Sequence, residues 1–295
     1  MAAVTFCGAP ALSADLPTKA PIYKAVPESG WTYQVTPYLW APSIKGSVTT
    51  LGRTADVDVS FVDLVEHSSI PKDLFGLMGS FEARNGRFSI FTDFIYMKAG
   101  TDVSGSRNFA RELVAAGIAA SIGLKFQQAI AEVAGTYEIA RWGSGTISNG
   151  SWTALDAVGG ARLWWQRATI NLDVATTIGL PVLPGLTFSG NRAVAGSGDV
   201  TWADPLVGLR LRHQFTPGQQ LVVSGDVGGF GVGSRFSWQG IGAYSFDFAK
   251  TQSATWSGMI GYRALYADYS KGSGLTAYEF NVLQHGPMFG VGARF

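Results

Sequence analysis

The chain is poor in three things. It has one cysteine, Cys7, so neither a disulfide framework nor a cysteine-based zinc site can hold it together. Charged residues make up only 15% of its 295 positions, against about 25% in an ordinary soluble domain. With 22 Lys plus Arg against 21 Asp plus Glu the net charge is +1, which leaves no electrostatic footprint for nucleic acid. The third lack is an apolar run long enough for a spanning helix. The longest strongly apolar run, LVAAGIAASIGL from Leu113 to Leu124, falls short of the about 20 residues such a helix needs. The uncharged stretch Val174 to Asn191 is long enough, but Pro181 and Pro184 make it a loop.

Other things are plentiful. Hydrophobic residues are 46% of the chain, aromatics 13%, and there are 38 glycines, roughly twice the usual share. Disordered chains show the reverse pattern, rich in charge and poor in aromatics. Low charge, many aromatics and no spanning helix leave the transmembrane β-barrel open, because its signal is spread over many alternating strands. The competing class is a soluble all-β sandwich or barrel.

Residues 1–13, MAAVTFCGAPALS, are apolar and small, and Ala11-Leu12-Ser13 fits a signal-peptidase site. They are expected to be a signal peptide truncated at its start, which would remove Cys7 from the mature chain. Residues 14–30 carry Pro17, Pro21 and Pro27 and suit an extended periplasmic linker. Residues 31–295 are then the barrel.

Period-2 alternation runs through that region. Phe75, Leu77, Gly79 and Phe81 alternate with Gly76, Met78, Ser80 and Glu82 ahead of Asn85-Gly86, a hairpin signal. Similar segments cover 31–41, 87–97, 111–124, 127–140, 153–165, 168–177, 202–214, 219–229, 235–248, 253–269 and 284–295. The spacing predicts about 12 strands, within a range of 10 to 14, in an antiparallel up-and-down transmembrane β-barrel. Short connections are expected at Asn85-Gly86, Lys125-Phe126, Gln166-Arg167, 215–218 and 249–252. Long ones are expected at 42–73, 98–110, 141–152, 178–201 and 270–283, with 230–234 the exception. Short and long ends in alternation match periplasmic turns and external loops, with both termini periplasmic.

The last strand, QHGPMFGVGARF, places Phe289, Val291, Ala293 and Phe295 on one face. It resembles the signal read by the outer-membrane assembly machinery. ADLPTKAPIYKA resembles the mature N-terminus of alphaproteobacterial outer-membrane proteins of the opacity or surface-immunogen type. Together with TPYLWAPSIKGSV, FVDLVEH, GSFEARNGRFSIFTDFIYM, LDAVGGARLWW, WADPLVGLRLRHQF and HGPMFGVGARF, the chain resembles a family of bacterial outer-membrane β-barrel proteins of uncharacterised function. The resemblance implies fold and location and brings no catalytic residue.

Charge on a lipid-facing strand surface costs about 2–4 kcal/mol for Arg near the midplane, so the polar strand face must line the lumen. The expected lumen-lining charges are Glu82, Arg84, Arg87, Asp93, Glu132, Glu138, Asp156, Arg162, Asp173, Asp204, Arg210, Arg212, Asp226, Asp247, Arg263 and Arg294. They suit either a solid interior held by ion pairs or a narrow pore lined by both signs. Trp31, Tyr33, Tyr38, Trp40, Trp142, Trp152, Trp164, Trp165, Trp202, Trp238 and Trp256 fall near strand ends and are expected to form interfacial girdles. Loop 42–73 carries Asp56, Asp58, Asp63 and Glu66 without the spacing of a calcium loop; a polar hairpin and a short helix, Val62 to His67, are expected there. His67, His213 and His285, with Ser270, Ser273 and Glu279, are the candidates for hydrolase chemistry, and no motif marks a nucleophile. Gly228 to Gly233 reads as a glycine-rich turn.

The sequence therefore points to a passive outer-membrane protein, either a narrow channel for small solutes or a structural surface protein. The alternatives are a lipid-modifying hydrolase and a surface adhesion protein. No catalytic residue, metal or cofactor is expected. Expected partners are outer-membrane lipid, the assembly machinery and, for a channel, small solutes, with no nucleic acid and the oligomeric state open.

Overall fold

The computed structural model describes residues 30–50, 53–66, 74–101, 120–143, 150–174, 187–189 and 192–295. The expected signal segment with Cys7, the linker up to residue 29, His67 and parts of the expected loops 98–110 and 178–201 lie outside the described residues. The strands are β1 (Thr32–Trp40), β2 (Ser43–Thr50), β3 (Arg53–Val59), β4 (Leu74–Asn85), β5 (Phe88–Thr101), β6 (Ala120–Trp142), β7 (Trp152–Val174), β8 (Thr187–Ser189), β9 (Arg192–Thr216), β10 (Gln219–Gly228), β11 (Phe236–Lys250), β12 (Thr255–Lys271) and β13 (Tyr278–Arg294). One short helix, α1 (Phe61–Glu66), lies between β3 and β4.

Pairing runs β1–β4–β5–β6–β7–β9–β10–β11–β12–β13 and back to β1, a closed antiparallel barrel of 10 strands. Closure gives every strand two neighbours, so no edge is left open along the ring. The two ends of the chain meet where the ring closes: the Tyr33 N–H donates to the Phe295 carbonyl at 3.1 Å. One end of the barrel therefore carries both ends of the β-ring together with the tight turns at 86–87, 217–218 and 251–254; this is the turn end. The opposite, loop end carries the β2–β3 hairpin, α1 and the connections after β5, β7, β10 and β12.

Side chains follow strict parity. Along β9, Leu209 and Leu211 face outward at 53% and 39% exposure, while Arg210 and Arg212 face inward at 8% and 7%. The same inversion holds around the ring, with Val35, Leu77, Phe94, Val133, Leu163, Val223, Ile260 and Phe289 exposed. A soluble sandwich buries its apolar face, and this sheet buries its charged one.

Two of the expected turns do not exist. Segments 127–140 and the described part of 111–124 form the single strand β6, and 153–165 with 168–177 form β7 through residue 174. At those places Gln128 pairs with Gln166 and Gln127 with Arg167 in unbroken register. The polar residues there mark where long strands leave the apolar belt. A tilted strand needs only about 9–11 residues to cross, and β6 and β7 have 23 each, β9 25. The barrel count is thus the lower end of the expected range. With the false turns gone, the connection between Trp142 and Trp152 joins the turn end, and 229–235 falls at the loop end.

The expected hairpin and helix in 42–73 are present. After Ala41-Pro42, β2 continues the line of β1 along the upper half of β13. The helix starts with a reciprocal cap: the Asp63 N–H donates to Ser60 Oγ at 3.1 Å and the Ser60 N–H to Asp63 Oδ2 at 3.2 Å. Leu64 is its one buried side chain. The first hairpin turns at Gly86-Arg87, one residue beyond the expected place, with Gly86 at φ +57°.

Close strand approach fixes small residues on the inner face. A Cβ on Gly208 would fall on the Gly225 carbonyl oxygen and 2.8 Å from the Asp226 Cα. Gly208→Val is expected to lower the unfolding free energy by about 1–3 kcal/mol, the range for overpacking, read from the urea midpoint of the refolded protein. The lipid-face change Val207→Leu should leave that midpoint in place.

Candidate functional site in the barrel interior

Inward parity brings charges from distant strands together. Nearest the turn end, Asp156 of β7 accepts from Arg212 Nε at 2.8 Å and Arg210 Nε at 3.1 Å, both on β9. Arg210 also donates to Glu82 of β4 at 3.0 Å, and Arg84 Nη2 donates to Glu82 at 2.9 Å. Glu138 of β6 accepts from Arg212 at 2.9 Å and from Arg141 at 2.6 Å. Ser89 and Thr136 fill the remaining space and bond each other at 2.6 Å. Asp156 is fully buried.

The next layer crosses the whole lumen. Arg162 of β7 donates to Glu132 at 2.8 Å and to Asp226 of β10 at 2.9 Å. Gln239 of β11 donates to both carboxylates, at 3.3 and 3.2 Å, and accepts from Arg263 Nε at 2.7 Å. Arg263 of β12 reaches Asp93 at 2.6 Å and the Tyr38 hydroxyl at 2.9 Å, and that hydroxyl donates to Asp93 at 2.7 Å. An unbroken hydrogen-bonded chain thus runs from β7 through β10, β11 and β12 to β5 and β1. Arg162 and Arg263 are 0% and 1% exposed.

An amide layer and an aromatic layer follow toward the loop end. Gln128 and Gln284 exchange two bonds of 2.9 Å between β6 and β13, Gln166 donates to Gln128 at 2.9 Å, and the Tyr278 hydroxyl donates to Gln166 at 2.6 Å. Trp202 of β9 stacks on Tyr269 of β12 at 4.1 Å between centroids and on Trp164 at 5.3 Å, with Phe280 packed against both tryptophans. The glycine-rich turn 229–235 is anchored on this layer. Asp204 accepts from the Ser234 N–H, the Ser234 hydroxyl at 2.8 Å and Trp164 Nε1 at 3.0 Å. In that turn Asp268 grips Arg235 at 2.6 Å, and this bond holds the guanidinium proton more firmly than usual.

Most expected lumen charges are where parity puts them. Glu82, Arg84, Asp93, Glu132, Glu138, Asp156, Arg162, Asp204, Arg210, Arg212, Asp226 and Arg263 all join these layers. Arg87 does not, because the hairpin turns one residue later than expected and leaves it exposed in the turn. Asp247 and Arg294 keep inward parity but sit at the turn-end rim, paired with each other at 3.1 Å and partly exposed. The side chain of Asp173 lies outside the described residues. Tyr38, Trp40, Trp152, Trp164 and Trp202 are buried inside the barrel, not in a girdle, since their parity is that of the charged face. Trp31, Trp142 and Trp256 do face outward. Arg141 and the glutamines were missed as partners. For the glutamines parity is the available signal, obscured where Gln166 falls at an expected turn; Arg141 shares the sequence parity of outward Ile139, and the register shift between Glu138 and Ala140 turns it inward onto Glu138.

The other candidates separate. Asp58 meets Lys45 at 3.6 Å on the exposed hairpin, and Asp63 caps α1. Among the described residues no three His, Cys, Asp or Glu side chains gather as metal ligands. His213 and His285 lie on outward parity, bonded to Thr153 at 2.8 Å and Tyr262 at 2.6 Å. Glu279 meets Thr49 at 3.4 Å and not His285.

No protein-family model matches the chain, and no curated protein matches it. Among solved structures it is similar to Ail, the attachment invasion locus protein of Yersinia pestis, in complex with the heparin analogue sucrose octasulfate, at TM-score 0.34 and 11% identity over 90% of this chain and 99% of that one. It is similar to the outer-membrane protease OmpT of Escherichia coli at TM-score 0.43 and 9% identity, covering 93% and 99%. The toluene transporter TbuX of Ralstonia pickettii matches at TM-score 0.26 and 10% identity, covering 90% and 89%. Likeness at this level carries no argument about activity, and the fold rests on the strand pairing described above.

Arg162 is the member whose removal leaves most behind. Arg162→Ala would strand Glu132 and Asp226 without their cation in a buried layer. Removing one partner of a buried pair costs about 3–5 kcal/mol, so a matching fall in unfolding free energy is expected in urea titrations of the refolded protein. A fall under about 1 kcal/mol would mean the layer is as weak as surface ion pairs.

Proposed function

We propose that the chain is an outer-membrane β-barrel protein of a Gram-negative bacterium that serves as a non-conducting structural surface protein. The observation that supports this most is the filled lumen. In a water-filled pore the lining charges are wetted, whereas here Asp156, Arg162 and Asp204 have no exposed surface and Gln128 and Gln166 none either. Between the solid-interior and narrow-pore alternatives, this favours the solid interior.

Location follows from the outward face. Its exposed apolar side chains, unbroken around a closed ring, suit lipid and not water. In this reading the tight turns and both termini lie in the periplasm and the longer connections outside. Residues 1–13 act as the signal peptide, 14–30 as a periplasmic linker, and Phe289, Val291, Ala293 and Phe295 as the assembly signal. The resemblance to alphaproteobacterial outer-membrane barrels fits the same location. The long strands β6, β7 and β9 and the β2–β3 hairpin then stand above the outer leaflet as the displayed part. The enzymatic alternative has no supporting cluster among the described residues.

Refolded protein in a planar bilayer is expected to leave the membrane electrically silent. Arg162→Ala combined with Arg263→Ala, folded by the heat-shift gel criterion, should stay silent as well, because the turn-end set, the glutamines and the stacked rings still close the lumen. Steps in the unmodified protein would overturn the non-conducting role and restore the narrow channel.

A further inference from the structure

Charge is not balanced layer by layer inside the barrel. Nearest the turn end, Arg84, Arg141, Arg210 and Arg212 share Glu82, Glu138 and Asp156, and all the ion pairs these groups make among the described residues stay within the set. Four guanidinium groups against three carboxylates leave one positive charge over. In the crossing layer the surplus is negative, since Arg162 and Arg263 face Asp93, Glu132 and Asp226. Beyond that, the described partners of Asp204 are neutral donors from Trp164 and Ser234.

The positive set also holds donors without acceptors. Arg84 Nη1 and Trp152 Nε1 are buried and lack a partner among the described residues. Trp152 is 4% exposed, and the guanidinium groups of Arg141 and Arg212 stack on its ring at 4.4 and 5.4 Å. Exposure is uneven within the set. Its most accessible side chains are Glu82 and Arg84, at 24% and 17%, while Asp156 behind them is at 0%. Toward the turn end Gln34, Gln220, Ser245 and Ser257 share the inward parity, and the Asp247–Arg294 pair sits at the rim.

We propose that the positive set at the turn end of the lumen is a binding site for a small oxyanion, a phosphate or a carboxylate, held by the Arg84 and Arg141 side of the cluster. Guanidinium groups present planar forks that match both anions. A partly buried surplus positive charge is unfavourable until an anion answers it. The negative layer behind the site repels an anion, so the site is a terminus and not an entry to a pore. The site does not depend on the barrel being silent; a conducting barrel would overturn that role and leave the oxyanion site to be judged by the following measurements.

The test uses the full refolded chain in detergent, with sodium phosphate and sodium acetate titrated against sodium chloride at constant ionic strength. A saturable rise in the thermal unfolding midpoint is expected with phosphate, acetate or both, and which anion acts identifies the group bound. Arg84→Gln balances the set and should abolish the rise. Glu82→Gln makes the surplus two charges and should lower the half-saturating concentration by about tenfold, a difference of about 1.4 kcal/mol. Where Arg84→Gln fails to fold, Arg141→Gln gives the same reading. A midpoint that follows ionic strength alone, a rise that survives Arg84→Gln, or a half-saturation unmoved by Glu82→Gln would each overturn the site.

Discussion

A closed sheet whose outside is apolar has one place for its strand charges, its own axis. That constraint organises the molecule. Each inward charge arrives desolvated, and burying it is unfavourable unless another strand supplies the opposite sign with good geometry. The layer through Gln239 shows how this is met. The amide donates to Glu132 and Asp226 and accepts from Arg263, so one neutral side chain joins the two guanidinium centres into a single network. Nine of the ten ring strands contribute to it or to the set beneath it. The ring therefore has an internal brace that hydrogen bonds between neighbouring strands alone do not provide.

Much of this was legible from parity. Period-2 alternation assigned outward Leu209 and inward Arg210 without any knowledge of partners, and it carried most of the lumen charges to their observed places. It failed where a second physical cause produced the same pattern. Lys125, Gln166 and Arg167 look like turn residues, yet β6 and β7 continue through them: Arg167 faces outward beyond the apolar belt, where a polar side chain carries no penalty, and Gln166 faces inward into the amide layer. Aromatics failed for a related reason. Position along a strand places a tryptophan near an interface, but only its parity says whether it meets lipid or, like Trp164 and Trp202, its neighbours across the lumen. Partner choice was not legible at all. That Gln128 meets Gln284 depends on ring closure and strand tilt, which no local pattern encodes.

The interior is graded along its axis. Ion pairs dominate at the turn end, a mixed ionic and amide layer crosses the middle, and glutamines and stacked rings share the part nearest the loop end, with Trp164 before Gln166 on β7 and Gln284 before Phe280 on β13. Most of the buried charges that need partners lie in the first two of these levels, with Asp204 beyond them. The aromatic layer joins β7 and β9 to β12 and β13, strands that are not neighbours in the ring, and so draws the two sides of the upper barrel together. Above the middle layer the molecule behaves more like two packed sheets than like a tube.

The short β10–β11 connection explains why that packing occurs where it does. β10 ends at Gly228, opposite Leu206, while β9 runs on to Arg192 and β12 to Lys271. The wall is therefore lowest over this turn, and without further support the ends of β9 and β12 would stand apart. Two contacts bridge the notch: the turn is pinned by Ser234 to Asp204, and Trp202 reaches over it to Tyr269. Phe230 takes a left-handed backbone, φ +48°, inside this turn, and the Gly231 N–H bond to the Ser234 carbonyl at 3.0 Å closes it. A strained residue persists only where its surroundings over-determine it, and here the surroundings are the buried carboxylate and the indole stack. The shape of the loop end thus follows from the same rule as the lumen: a polar group placed inside the ring must find its partners inside the ring.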